Sequence, residues 1–132
     1  MGFGSSIRNA LSRKKYNLED DDGRLEAIKD TIQSAKEKIS AGKTDPENAL
    51  KPVINLGNEV QSLGKEPLEV YARALHEFPT SHSLKDACDS RLQNTNRIPE
   101  NLLAYFVDVL KKDIYNIALW RRVIDDLDFY KR

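Results

Sequence analysis

Apolar residues recur along this chain with the period of an α-helix, and a glycine or proline closes each of the first three runs. Leu25, Ile28, Ile32, Ala35 and Ile39 are spaced three, four, three and four residues apart, which lines one helix face. Gly42 follows as the left-handed residue that ends such a helix. Asp45-Pro46 restarts one, with the aspartate as N-cap and the proline at the first helical position. Ala49, Val53, Leu56, Val60 and Leu63 carry that stripe to Gly64, and Pro52 within it predicts a kink or a late start. Pro67 opens a third helix whose inner face is Leu68, Tyr71, Leu75 and Phe78, and Pro79 stops it. A fourth, from about Ser83 to Leu92, uses Leu84, Ala87, Cys88 and Leu92. Pro99 starts a fifth with Leu102, Leu103, Phe106, Val107 and Leu110, and Asp113 to Asn116 reads as a tight turn. The last helix carries Ile117, Trp120, Val123, Ile124 and Leu127, so Trp120 is assigned to the core with the rest of its stripe. No segment alternates as a strand does. These patterns predict an all-α fold, a compact antiparallel helical bundle or helical-hairpin array of about six helices, with a flexible N-terminal arm. Residues 1–22 form the arm and residues 23–132 the helical domain.

That division rests on charge. Arg8, Arg13, Lys14 and Lys15 are the only charged side chains before Glu19, and Glu19, Asp20, Asp21 and Asp22 then follow in succession. Over the whole chain 21 basic and 21 acidic residues cancel. A chain that grips nucleic acid through its phosphates carries a basic excess, so no nucleic-acid partner is expected. No apolar run approaches the ~18 residues that cross a bilayer. Cys88 is the single cysteine, which forbids an intrachain disulfide and fits a reducing compartment.

The arm reads as a membrane address. Gly2 after the initiator methionine, with Ser6 four residues on, matches the N-myristoylation pattern and makes Gly2 the candidate lipidation site. Phe3, Ile7 and Leu11 recur every fourth residue, giving a helix here an apolar ridge flanked by Arg8, Arg13, Lys14 and Lys15. These seven residues are the candidate membrane-binding set. One myristoyl chain binds with an association constant of about 10⁴ M⁻¹, and each cation near an anionic leaflet adds at most ~1 kcal/mol, so lipid and cations together make a stable anchor. Phe3 directly after the glycine is a bulky residue that myristoyl transfer disfavours, which keeps open an unlipidated amphipathic anchor, a merely basic tail, or a short mitochondrial targeting segment.

Three motifs that suggest chemistry lack the residues the chemistry needs. Gly42-Lys43-Thr44 would close a phosphate-binding loop, but Glu37 stands where that loop requires its first glycine. Asp20-Asp21-Asp22-Gly23 looks like part of a calcium loop, yet its first and twelfth positions would be Leu18 and Lys29. His76, His82 and Cys88 have no metal-ligand spacing. No catalytic residue, metal or cofactor is assigned, and the chain is expected not to be an enzyme. Phe129, Tyr130, Arg121 and Arg122 place aromatics beside cations near the end of the chain and are the candidate partner-binding residues.

Leu56-Gly57, Leu63-Gly64, Tyr71, Ala74-Leu75 and Pro79 stand in the order of landmarks of a tetratricopeptide helical hairpin, and residues 56–79 resemble that hairpin or its half-a-TPR relative. The resemblance implies a protein-binding scaffold without catalysis. The expected function is therefore a non-enzymatic peripheral membrane adaptor on the cytosolic face of a membrane, its arm on an anionic surface and its body on a protein partner. Two alternatives follow. One is a viral matrix-type structural protein on the inner face of a virion membrane, since Gly2, the basic patch and a compact helical body are similar in plan to lipidated retroviral matrix proteins. The other is a soluble helical interaction domain.

Overall fold

The structure, a computed structural model, describes residues 16–131, and among these it is all helix and turn. The helices are α1 (Asp21–Ser40), α2 (Pro46–Ala49), α3 (Lys51–Ser62), α4 (Leu68–Glu77), α5 (His82–Gln93), α6 (Leu103–Lys112) and α7 (Ile117–Lys131), with a 3₁₀ turn, Glu100–Leu102, leading into α6. Six of the seven have ten residues or more, and short connections fold them back on one another as antiparallel hairpins.

The chain's punctuation works as local physical chemistry requires. Asp45 accepts from the amides of Glu47 and Asn48 at 3.0 and 3.2 Å, capping α2 with Pro46 at its first position. The helical run then breaks at Leu50 and restarts as α3 with Pro52 in its first turn, the late start that the proline predicts. Gly64 (φ +79°) closes α3 in a complete Schellman motif: its amide donates to the Gln61 carbonyl at 2.9 Å, and the Lys65 amide donates to that of Val60 at 3.2 Å. α1 begins at Asp21, two residues before the boundary drawn from charge. Asp20 caps it through the Gly23 amide, Asp21 and Asp22 sit in its first turn beside the positive end of the helix dipole, and Leu18 is already buried.

α4 lies at the centre and packs against α1, α3, α5 and α6. Enclosure explains why it buries Val70, Ala72 and Ala74 as well as the expected Leu68, Tyr71 and Leu75. A helix apolar around most of its circumference belongs inside a bundle. Its crossing with α3 depends on Gly57, where an added Cβ would come within 2.5 Å of the Tyr71 ring and hydroxyl. Cys88, Leu84 and Leu92 face inward from α5, as their spacing predicts. A carboxylate joins two helix starts, Glu47 of α2 accepting from the Ser81 hydroxyl at 2.6 Å and the Ser83 amide at 2.9 Å at the head of α5. Those two hydrogen bonds hold the Glu47 carboxyl below its ordinary range, against the opposing effect of burial.

α7 departs from the sequence reading. Its buried residues are Leu119, Val123 and Asp126, whereas Ile117, Ile124 and Leu127 remain 57%, 56% and 38% exposed and Trp120 is half-buried. The apolar stripe through Trp120 is thus not the face that closes the core. On a helical wheel its centre lies about 100° from that of the buried face. The reason is what α7 packs on: α6 along one side and the irregular segment 94–99 beneath it. Backbone polar groups of that segment need partners, and polar side chains of α7 turn inward to supply them.

Candidate interaction surface

The inner face of α7 is a clamp on the connection between α5 and α6. Asp126, 0% exposed, accepts from the Ile98 amide at 2.8 Å, from Arg97 at 2.9 Å and from Arg122 at 3.2 Å. Arg122 donates onward to the carbonyls of Leu92, at 2.8 Å, and Thr95. The Tyr130 hydroxyl donates to the Ile98 carbonyl at 2.7 Å. Ile98 itself is fully buried, so α7 satisfies both of its backbone groups while its side chain enters the core. Burial pushes the Asp126 carboxyl up, but the Ile98 amide and the two guanidinium groups outweigh it and hold the carboxyl below its usual value.

Of the four candidate partner-binding residues, three therefore take part in this clamp or border it. Arg122 and Tyr130 are bonded to segment 92–98, and Phe129 lies under the Arg97 guanidinium, 4.2 Å from the ring centroid, and edge-on to Tyr130 at 5.3 Å. Arg121 points outward and is exposed. Gly2, Phe3, Ile7, Arg8, Leu11, Arg13, Lys14 and Lys15 lie outside the described residues.

The outer face of α7 carries Ile117, Trp120, Ile124 and Leu127 within an arc of about 80°. Ile114 and Tyr115, in the preceding turn, extend it and are 56% and 86% exposed, and the Trp120 indole N–H donates to the Ile114 carbonyl at 3.1 Å. The stripe runs into a groove of about 520 Å³ between α6 and α7, where Leu103, Ala104, Val107, Leu127 and Tyr130 form the lining and Glu100, Asp108, Lys111 and Lys131 the rim. Sequence periodicity finds these apolar residues but assigns them to the core. Asp126, a single acid among three in Asp125-Asp126-Leu127-Asp128, gives no sequence signal of being the buried one.

A second cluster lies between α1, α4 and α6, around a groove of about 380 Å³. Arg73 stacks on Tyr105 at 4.9 Å, His76 meets that ring edge-on at 5.5 Å, and the imidazole contacts Glu77 at 3.1 Å and Asp108 at 3.2 Å. Lys36 closes on Glu77 at 2.7 Å and Arg73 on Glu69 at 3.1 Å. Each acid in it meets a cation, so the arrangement braces three helices and offers little net field to a charged ligand. Cys88 is buried and its thiol is pushed well up by desolvation, which makes it a packing residue with little thiolate at neutral pH. Among the described residues no group of three or more His, Cys, Asp or Glu could hold a metal ion, and no helix is long and apolar enough to cross a membrane. Comparison with protein-family models, with curated proteins and with solved structures finds no match to this chain.

Proposed function

We propose that this chain is a non-catalytic membrane adaptor, in which residues 1–15 dock on an anionic bilayer and the helical body offers the outer face of α7 to a protein. The observation that carries the reading is the exposed apolar stripe of Ile117, Ile124 and Leu127, set around a half-buried Trp120 and continuous with the groove beside α6. Its surroundings favour a protein over a lipid surface. Arg121 and Lys111 stand near Asp125 and Asp108, whereas a face that lies in a bilayer carries a predominantly basic border. The basic, acid-free arm supplies that border instead, and the helical-hairpin resemblance of residues 56–79 supports a scaffold without chemistry of its own.

The test is flotation on anionic liposomes of the full chain made in a eukaryotic cell, with its intact mass measured alongside. Loss of Met1, gain of one myristoyl chain, and flotation abolished by Gly2→Ala are the expected results. An unmodified chain that floats, and stops floating when Ile7 becomes Asp, would move the anchor to the amphipathic ridge. A chain that stays in solution in both forms refutes the membrane half of the proposal.

A further inference from the structure

We infer that the turn between α6 and α7 is a second membrane contact, where Ile114 and Tyr115 enter the headgroup region of an anionic bilayer beside Lys111 and Lys112. The inference rests on the reading of residues 1–15 as a membrane anchor and names the end of the body that faces the lipid. Ile114 and Tyr115 are 56% and 86% exposed, and Tyr115 is the most exposed large apolar side chain among the described residues. A tyrosine, with an apolar ring and a polar tip, suits the boundary between headgroups and acyl chains. The charge around the turn complements an anionic surface. Lys111 and Lys112 close α6 and are exposed. Asp113, the acid of the turn, is held by Lys85 of α5 at 2.8 Å, and its side chain is only 20% exposed. Deeper along α6 and α4, Asp108 meets His76 at 3.2 Å and Glu77 meets Lys36 at 2.7 Å. The turn thus presents cations and apolar groups together, as interfacial segments do. The α7 stripe beyond it, bordered by both signs of charge, keeps its place as the protein-docking face.

The fold carries the arm to the same end. Lys36 on Glu77, His76 on Asp108, and Lys112 on the His76 carbonyl tie together the last turns of α1, α4 and α6. Arg73 on Tyr105 and His76 on Asp108 keep one register, so α4 and α6 run parallel. The turn at 113–116 therefore lies at the end where α1 finishes. Residues 16–20 double back along α1 in that direction. The Asn17 carbonyl lies against Gly23, where an added Cβ would overlap it, and the Tyr16 hydroxyl donates to Asp30, halfway down the helix. From Asp30 to Ser40 the helix rises only ~15 Å, whereas residues 1–15 span up to ~50 Å, so the anchor reaches the plane of the turn. Glu19 to Asp22, the run of four acids, begins α1 at the far end, ~30 Å away. That exceeds the Debye length of about 8 Å, so these acids do not oppose the approach.

The test is run on the full chain made in a eukaryotic cell, with vesicles of phosphatidylserine and phosphatidylcholine. A polarity-sensitive fluorophore is attached after Tyr115→Cys or, in the loop at the opposite end, after Lys65→Cys, while the buried Cys88 stays unlabelled in the native chain. On vesicle binding the label at 115 should shift to the blue and the label at 65 should stay in water. Ile114→Ser with Tyr115→Ser, both at exposed positions, should leave the melting temperature unchanged and weaken binding by about 10-fold. Lys111→Glu with Lys112→Glu should weaken it by at least about 10-fold, whereas Ile124→Ser on the α7 face should change it by less than about 2-fold. Flotation of the parent separates the two readings. A chain that floats while the label at 115 stays in water, or while the turn variants bind as the parent does, overturns the inference and leaves the arm as the anchor. A label at 65 that shifts in place of the one at 115 overturns it as well. A chain that never floats refutes the membrane reading and this contact with it.

Discussion

The orientation of α7 decides both its packing and its surface, and two substitutions two residues apart, on opposite sides of the helix, test it. Asp126→Ala removes a carboxylate with no exposure and three donors. The Ile98 amide is then buried without an acceptor, which costs about 1–3 kcal/mol. Arg122 keeps the carbonyls of Leu92 and Thr95, so it is only partly stranded. Arg97, whose side chain is 44% exposed, turns to water and adds little. The sum is about 2–4 kcal/mol, on the low side of the roughly 3–5 kcal/mol for breaking a buried charge pair. For a body of this size it lowers the melting temperature by about 8–16 °C. Ile124→Ser, two residues away in sequence, changes a side chain that is 56% exposed and should shift stability by no more than about 0.5 kcal/mol. The assay is urea unfolding followed by far-UV circular dichroism at low micromolar protein. The sequence periodicity taken alone predicts the opposite order, with Ile124 in the core and Asp126 at the surface. A variant at Ile124 that costs more than the one at Asp126 would refute the clamp and everything built on the outer stripe. The pH dependence gives an independent check. The folded-state pKa of Asp126 is depressed, so its contribution is complete above the unfolded value near 4 and is lost as pH falls through the lower folded value. The gap between parent and Asp126→Asn should therefore narrow below about pH 4.

Three further outcomes follow from the packing. Gly57→Ala forces a methyl group against the Tyr71 ring and should cost about 1–2 kcal/mol even after the gain in helix propensity, with Tyr71→Leu recovering part of that in a double-mutant cycle. Glu47→Gln weakens the shared cap at Ser81 and Ser83 and should lower stability at pH 7 by about 1 kcal/mol. Because the folded-state pKa of Glu47 is also depressed, that difference should shrink as acid protonates the parent, which a melting series from pH 7 to about pH 2.5 would show. Cys88 should react with a thiol reagent more than about 10³-fold slower in the native chain than in urea, as burial and a raised pKa both require.

Helix number, order and most ends were legible in the sequence because each is encoded locally. Gly42 and Gly64 take the left-handed conformation that ends a helix, Asp45 caps, and Pro52 marks the restart after Leu50. The apolar stripes of α1, α3, α5 and α6 point inward, except for Leu63 at the exposed end of α3 and Val107 on the groove wall, because each of these helices has a neighbour to cover it. Long-range polar partners were not legible. Nothing in the spacing of Glu47 and Ser81 says that one carboxylate serves two helix starts 34 residues apart, and Ser81 was not recognised as the cap of α5.

The misreading of α7 has the same physical origin as the proposed site. Periodicity detects which residues share a face, and it cannot tell whether that face closes on its own body or waits for another. On α7 both faces are strongly marked, one by Ile117, Trp120, Ile124 and Leu127, the other by Leu119, Val123 and an acid. Hydrophobicity alone selects the first. The backbone of segment 92–98 selects the second, because that face gives the Ile98 amide and the carbonyls of Leu92, Thr95 and Ile98 their partners while it still buries Leu119 and Val123. The seam that looked like core is therefore left over once the loop's hydrogen bonds are met. A helix whose strongest apolar stripe is the one its own fold declines to bury is the place on this molecule where a second chain has most to gain.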